Sequence, residues 1–154
     1  MTIVTAAEAT LSIGTTAAAT DASSFGSDTY VPVGEIEDLG EFGDEAEEVT
    51  FTSLSDARVR KLKGPRNAGT MQLVVGADIS DSGQAALIAA EAQPLDYNFK
   101  VQLNDKLTIG GTGTIYYFRG KVMSKRLQAG QANNVVRQRF NIGINTAIVV
   151  VSAT

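Results

Sequence analysis

The stretch SDSGQAALIAAEAQPLDYNFKVQL, residues 80–103, passes from a helical pattern to a strand pattern within a few residues. Asp81 followed three residues later by Gln84 is the spacing of a capping box, in which each side chain satisfies a backbone N–H at the start of a helix. Ala85, Ile88, Ala89 and Ala92 then fall on one face, and Pro94 marks the stop. Beyond Pro94 the period becomes two. Tyr97, Phe99, Val101 and Leu103 face one way while Asn98, Lys100 and Gln102 face the other, which predicts a strand with one side in a core.

The same alternation recurs on both sides of this stretch. In VTFTS (49–53), Val49 and Phe51 oppose Thr50 and Thr52, and in TMQLVV (70–75), Met71, Leu73 and Val75 oppose Thr70, Gln72 and Val74. In VRQRFNIGI (136–144) the core face is Val136, Phe140, Ile142 and Ile144, with Arg137, Arg139 and Asn141 opposite. YVPVGEI (30–36), TIYYFRGKVM (114–123) and AIVVV (147–151) add further strands, and no second segment reads as a helix. The strands after the helix are joined by NDK (104–106), GGTG (110–113) and KRLQAGQANN (125–134), which suit hairpins rather than crossovers. The expected class is mainly β: an antiparallel β-sandwich or barrel with one flanking α-helix. The apolar terminal strand either pairs within its own sheet or is covered by a partner strand.

A chain of 154 residues that is 44% hydrophobic and 19% charged has the composition of one globular domain. The Ala/Thr-rich beginning, with Gly14 and Gly26, reads as an arm over 1–28 that is weakly structured or ordered on assembly, ahead of a single β domain at 29–154. That beginning has no basic n-region and carries Glu8 in its apolar part, so it is not read as a signal peptide. No window approaches the roughly eighteen apolar residues of a span, so no membrane insertion is expected. Cysteine and histidine are both absent. That removes disulfides, thiolate metal sites, cysteine nucleophiles, the commonest general base and the middle member of a Ser-His-Asp triad.

Charge is distributed unevenly. Residues 34–51 hold eight carboxylates, Glu35, Glu37, Asp38, Glu41, Asp44, Glu45, Glu47 and Glu48, and no Lys or Arg. Over 1–57 the balance is −12, over 58–154 it is +8, and the chain as a whole carries −4. Such asymmetry means either internal pairing, with the acidic loop folded onto the basic segment, or a head-to-tail surface between copies.

Three motifs fail on context. GPRNAGT (64–70) has the Gly spacing of a phosphate loop, but Thr70 stands where the Lys is needed and a strand follows. GGTGTIY (110–116) lacks the third Gly of a dinucleotide fingerprint, with Tyr116 in its place. The acidic run from Glu37 to Glu48 does not reproduce the ligand order of an EF-hand, so no metal is assigned. Its carboxylates lie among Gly and polar neighbours, with only Leu39, Phe42 and Ala46 as apolar company, which is not the buried cleft an acid/base pair requires. Neither an enzyme nor a cofactor is expected.

Taken in order, VGEIEDLGEFGDEAEEVTFTSLSD (33–56), NAGTMQLVV (67–75), DSGQAALIAA (81–90), YNFKVQL (97–103) and TIYYFRGKVMS (114–124) resemble the major tail tube protein of long, non-contractile-tailed bacteriophages. That family is similar in turn to the tube protein of type VI secretion systems. The segment ARVRKLKGPRN (57–67) is more basic than the family pattern. The resemblance implies a structural virion protein, assembled in the host cytoplasm into hexameric rings that stack as the tail tube. Its implied partners are further copies of itself and the tail tip or initiator, tape measure and tail terminator proteins. Phage DNA would pass through the channel without specific binding, in keeping with a pI near 4.8.

By the same resemblance, the loop at 38–48, the connection at 53–68 and the N-terminal arm lie between neighbouring subunits. The expected contacts are Glu37, Asp38, Glu41, Asp44, Glu45, Glu47 and Glu48 on one side and Arg58, Arg60, Lys61, Lys63 and Arg66 on the other. Some carboxylates are alternatively placed on the channel wall, where they would repel phosphates. A monomeric β-sandwich binding or virion decoration module remains the other reading. It would present an exposed aromatic platform, and Tyr116, Tyr117 and Phe118 are the only clustered aromatics. A carboxylate glycosidase would need a deep cleft that a chain this short is poorly equipped to build.

Overall fold

The computed structural model describes residues 3–154. Its elements, in chain order, are β1 (Thr10–Ile13), α1 (Ala22–Gly26), β2 (Val31–Pro32), β3 (Ile36–Asp38), β4 (Glu45–Thr52), β5 (Val59–Asn67), β6 (Thr70–Gly76), α2 (Ser82–Glu91), β7 (Tyr97–Gln102), β8 (Ile115–Gln128), β9 (Arg137–Ile144) and β10 (Val149–Val151). Every strand pairing among them is antiparallel. One sheet runs in the order β2-β1-β7-β8-β9-β6-β3, β10 pairs with β8 beside this path, and β4 and β5 form a separate two-stranded sheet.

The fourteen residues of β8 serve two wings. Ile115 to Gly120 pair with β7, and Ile115 to Tyr117 also pair with β10. Gly120 to Gln128 pair with β9, with a register shift between Val122 and Ser124 that bends the strand. One face of the whole sheet feeds a single core: Leu11 and Ile13 from β1, Phe99 and Val101 from β7, Phe118 and Val122 from β8, Phe140 and Ile142 from β9, and Met71 and Leu73 from β6. Strands from opposite ends of the path are equally buried. One ten-residue helix cannot cover such a face laid flat, so the sheet curls around its own core and α2 closes one side, against β1, β2 and β8.

The seat of α2 depends on Gly83 and Gln84. Asp81 caps the helix by accepting from the Gln84 N–H at 2.9 Å, and it also accepts from Gly34 N–H at 3.0 Å. The Gln84 side chain does not complete the capping box. It is buried, its Nε2 donates to the carbonyls of Gly76 (2.8 Å) and Gly34 (3.2 Å), and its Oε1 accepts from Asp78 N–H at 3.1 Å. The buried face is accordingly Gly83, Gln84, Leu87 and Ala90, not the predicted Ala85, Ile88, Ala89 and Ala92. Of that predicted set Ile88 still packs against the core.

The predicted arm spans residues 1–28. Its first two residues lie outside the described ones, but β1 is a full member of the sheet and α1 is a second, short helix capped by Asp21 and Ser24. Residues 14–30 then cross the outer face of the β7–β8–β10 wing. Phe25 stacks on Tyr117 at 5.4 Å, and Ala19, Tyr30, Ile115, Val149 and Val151 complete this satellite cluster. Asn98 does face outward as alternation predicts, yet it is fully buried, because this segment covers it. Its Nδ2 donates to Ala17 O (2.9 Å) and to Asp28 Oδ2 (2.8 Å). Burial works against ionisation of Asp28, but bonds from Thr15 and Asn98 outweigh it and hold its carboxyl below the usual range. The terminal strand β10 pairs inside its own chain.

Gly83 tests how α2 is seated. In an exposed helix Gly→Ala stabilises by about 1 kcal/mol. Here a methyl would overlap the Pro32 carbonyl and the Val33 Cα, so Gly83→Ala should destabilise by about 1–3 kcal/mol in urea denaturation. A gain in stability would show that α2 is not held this close to β2.

Candidate assembly interface

The segment 53–68 is not a simple connection. Residues 59–67 form β5, the antiparallel partner of β4, and only Ser53 to Arg58 turn between them. Pro65 cannot donate to a ladder, and Gly64 and Pro65 together oppose the single residue Glu47, a bulge that accommodates them on an unpaired edge. Neither strand joins the main sheet. The acidic run and the basic run are therefore the two strands of one hairpin.

Register separates the two faces of this hairpin. Val49 stands opposite Leu62 and Phe51 opposite Arg60 on one face; Glu48 opposite Lys63, Thr50 opposite Lys61 and Thr52 opposite Val59 lie on the other. The first face is apolar and uncovered: Val49 is 44% exposed, Phe51 56% and Leu62 58%. Val49 and Phe51 are thus not core residues, and Val136, at the edge of β9, is also exposed. Leu54 at the hairpin tip is fully exposed. A two-stranded hairpin in water is marginally stable at best, and this one buries little of its own apolar surface.

The expected contact residues divide into three groups. Lys61 Nζ lies 3.7 Å from Glu48 Oε1, Arg66 Nη1 3.8 Å from Asp44 Oδ2, and Arg60 Nη2 2.8 Å from Asp56 Oδ2, all exposed pairs that contribute weakly to stability. Glu37 is engaged by Arg137 of β9, which the sequence did not single out as a partner. Asp38 accepts from Gly40 N–H at 2.8 Å, while Glu41, Glu45, Glu47, Arg58 and Lys63 form no ion pair among the described residues. Internal pairing therefore accounts for part of the charge asymmetry. Glu45, Glu47 and Glu48 line a concavity of about 800 Å³ at the hairpin root, together with Arg66, Asn67 and Gly69.

The outer face of the second wing was not read from the sequence as a site. Arg126 and Arg139 are direct cross-strand partners, an unfavourable like-charge pairing on an exposed surface. Arg139 donates to the neutral Gln128 Oε1 through Nε (3.2 Å) and Nη2 (3.1 Å). At the other end of the β8–β9 ladder Lys121 is paired, its Nζ 2.7 Å from Asp96 Oδ1. Bonds from Lys121 and then Asn145 hold the Asp96 carboxyl below the usual range.

Among the described residues no group of three or more His, Cys, Asp or Glu is placed to hold a metal ion, and no helix is long and apolar enough to cross a membrane.

No protein-family model matches the sequence, and no curated protein does. Solved structures match on fold. The SPP1 tail tube shares 14% identity at a TM-score of 0.62, over 94% of this chain and 76% of that one. The tail of an empty gene transfer agent particle, determined with C6 symmetry, shares 18% at 0.64, over 92% and 96%. The sheath/tube terminator of the extracellular contractile injection system PVC shares 11% at 0.67, over 99% of both chains. The chain thus has the fold of tail tube and tube terminator proteins, and these neighbours are tail and tube components.

If the apolar hairpin face packs on nothing in its own chain, its loss is invisible to the folded body. Phe51→Ser combined with Leu62→Ser should change the unfolding free energy of the unassembled protein by no more than about 0.5 kcal/mol. Phe118→Ala in the core should cost about 3–5 kcal/mol by the same measurement. Comparable losses in the two would mean that the hairpin face is already covered.

Proposed function

We propose that this chain is a tail tube protein whose copies assemble into hexameric rings, stacked into a tube through which DNA is delivered to the host cell. The observation that carries the reading is the β4–β5 hairpin, an eight-residue and a nine-residue strand that stand apart from the main sheet with an uncovered apolar face. A monomer gains nothing by exposing Val49, Phe51 and Leu62 together, whereas a heterologous, head-to-tail contact repeated by rotation and translation buries them in every copy. The tail fold supports the same conclusion, and the C6 symmetry of the gene transfer agent tail supports the number six.

In this proposal the hairpin is the inter-subunit arm, so Glu41, Asp44, Glu45, Glu47, Glu48, Arg58, Arg60, Lys61, Lys63 and Arg66 all sit at or beside a joint. The protein resides in the virion tail after assembly in the host cytoplasm. It works with a tail tip or initiator, a tape measure and a terminator protein, and duplex DNA passes without specific binding. A second reading, a tube terminator, is favoured by the 99% mutual coverage with the PVC terminator; in this reading the chain would close a tube and not extend it.

Negative-stain electron microscopy of the concentrated protein distinguishes these outcomes. Hollow tubes are expected for the wild type, and separate particles for the Phe51→Ser, Leu62→Ser variant. Single rings that never stack would favour the terminator. Uniform monomers at all concentrations and salts, with no stacking when a tail tip complex is added, would contradict assembly altogether and leave a monomeric module.

A further inference from the structure

The expected partners of the acidic run, the cations of 58–66, are largely engaged within their own hairpin. The carboxylates left without an ion pair, Glu41, Glu45 and Glu47, still need a counter-surface if this face meets another subunit. The bare outer face of the β8–β9 wing is the surface with the complementary defect. The outer face of the β7–β8–β10 wing is covered by residues 14–30, bound through Asn98, Asp28 and Arg119. Among the described residues no such segment covers Arg126 and Arg139, which are exposed. These two like charges stand directly opposite each other, exposed, with no ion pair to either among the described residues.

We infer that the concavity at the root of the β4–β5 hairpin receives the Arg126–Arg139 pair of a second copy of this chain, with Glu45 and Glu47 as the facing carboxylates. This rests on the tube reading and specifies its joint. Chemistry favours a second copy over other occupants. The acidic wall and the basic pair belong to the same chain, so each copy supplies one of each, as a head-to-tail repeat demands. A metal ion is a poor occupant because these carboxylates do not converge. Guanidinium groups suit the site because their planar forks match carboxylates and they are less strongly hydrated than ammonium groups. Placing anions over Arg126 and Arg139 also relieves a repulsion that the monomer cannot.

The chain has no cysteine, which makes the contact directly testable. Glu47→Cys and Arg139→Cys are introduced together, and the assembled protein is treated with a short bismaleimide, which spans the carboxylate–guanidinium separation that a direct disulfide cannot, and run on a denaturing gel. A covalent ladder of dimers, trimers and higher species is expected, because each copy joins one neighbour through each cysteine. Each single-cysteine variant should give no ladder. In parallel, Glu45→Arg with Glu47→Arg, and Arg126→Glu with Arg139→Glu, should each raise the concentration needed for assembly by at least about tenfold, with all four changes together restoring it. Tubes that form without any ladder, and are indifferent to both reversals, overturn this joint while leaving the tube reading intact. Absence of tubes from the unsubstituted protein, even with a tail tip complex added, overturns both. A ladder-free assembly whose binding of duplex DNA is lost with Arg126→Glu and Arg139→Glu also overturns the inference, by assigning the basic pair to phosphate.

Discussion

The backbone pairing of β8 is the constraint on which the rest of the structure depends. It bonds directly to β7, β9 and β10, and through β7 and β9 it places β1 and β6. A strand of fourteen residues spans more than either wing needs, so it must bend where one set of partners gives way to the other. Gly120 sits at that change, and a Cβ there would stand 2.5 Å from the Gly143 carbonyl oxygen. The curl enclosing Phe99, Phe118 and Phe140 follows from this bend, and so does the contrast between the outer faces of the two wings. One carries residues 14–30 as a cover and the other carries bare arginines.

Charge in this molecule is arranged on two scales. Within the hairpin, acidic β4 lies beside basic β5, so opposite charges neighbour one another at close range and part of the imbalance cancels locally. Exposed pairs of this kind hold a hairpin together only weakly, and the apolar face of Val49, Phe51 and Leu62 adds nothing until something covers it. What remains, Glu45 and Glu47 at one place and Arg126 and Arg139 at another, has no ion-pair partner among the described residues, and in the proposed joint these groups meet between copies. Short-range pairing sets the shape of the arm, and the surplus is available to choose what it binds.

Where strands were amphipathic and cored, alternation revealed them. Met71, Leu73 and Val75, Phe99 and Val101, and Phe140, Ile142 and Ile144 are all buried as their spacing requires. The strand β5 was missed because Gly64 and Pro65 argue against a strand and its charges hide any period; only an unpaired edge makes them tolerable. For α2 the boundaries and the Asp81 cap were legible, but the face was not. Gly83 and Gln84 carry no apolar signal, and they are buried for close approach and for backbone hydrogen bonds. The helix α1 is five residues long, too short for periodicity, although Asp21 and Ser24 have the spacing of a cap. At the candidate interface the acidic and basic residues were legible as a group. Their mutual pairing was not, and the Arg126–Arg139 apposition depends on a register shift that no local pattern announces.

In the proposed assembly the β4–β5 hairpin is an element completed by another subunit. Amide hydrogen exchange, compared between dilute unassembled protein and the assembled form, measures this residue by residue. Amides of β4 and β5 should exchange rapidly in the dilute state and become protected on assembly, while those of strands β6 to β9 are protected in both. Hairpin amides as protected in the dilute protein as those of β9, and unchanged on assembly, would contradict it.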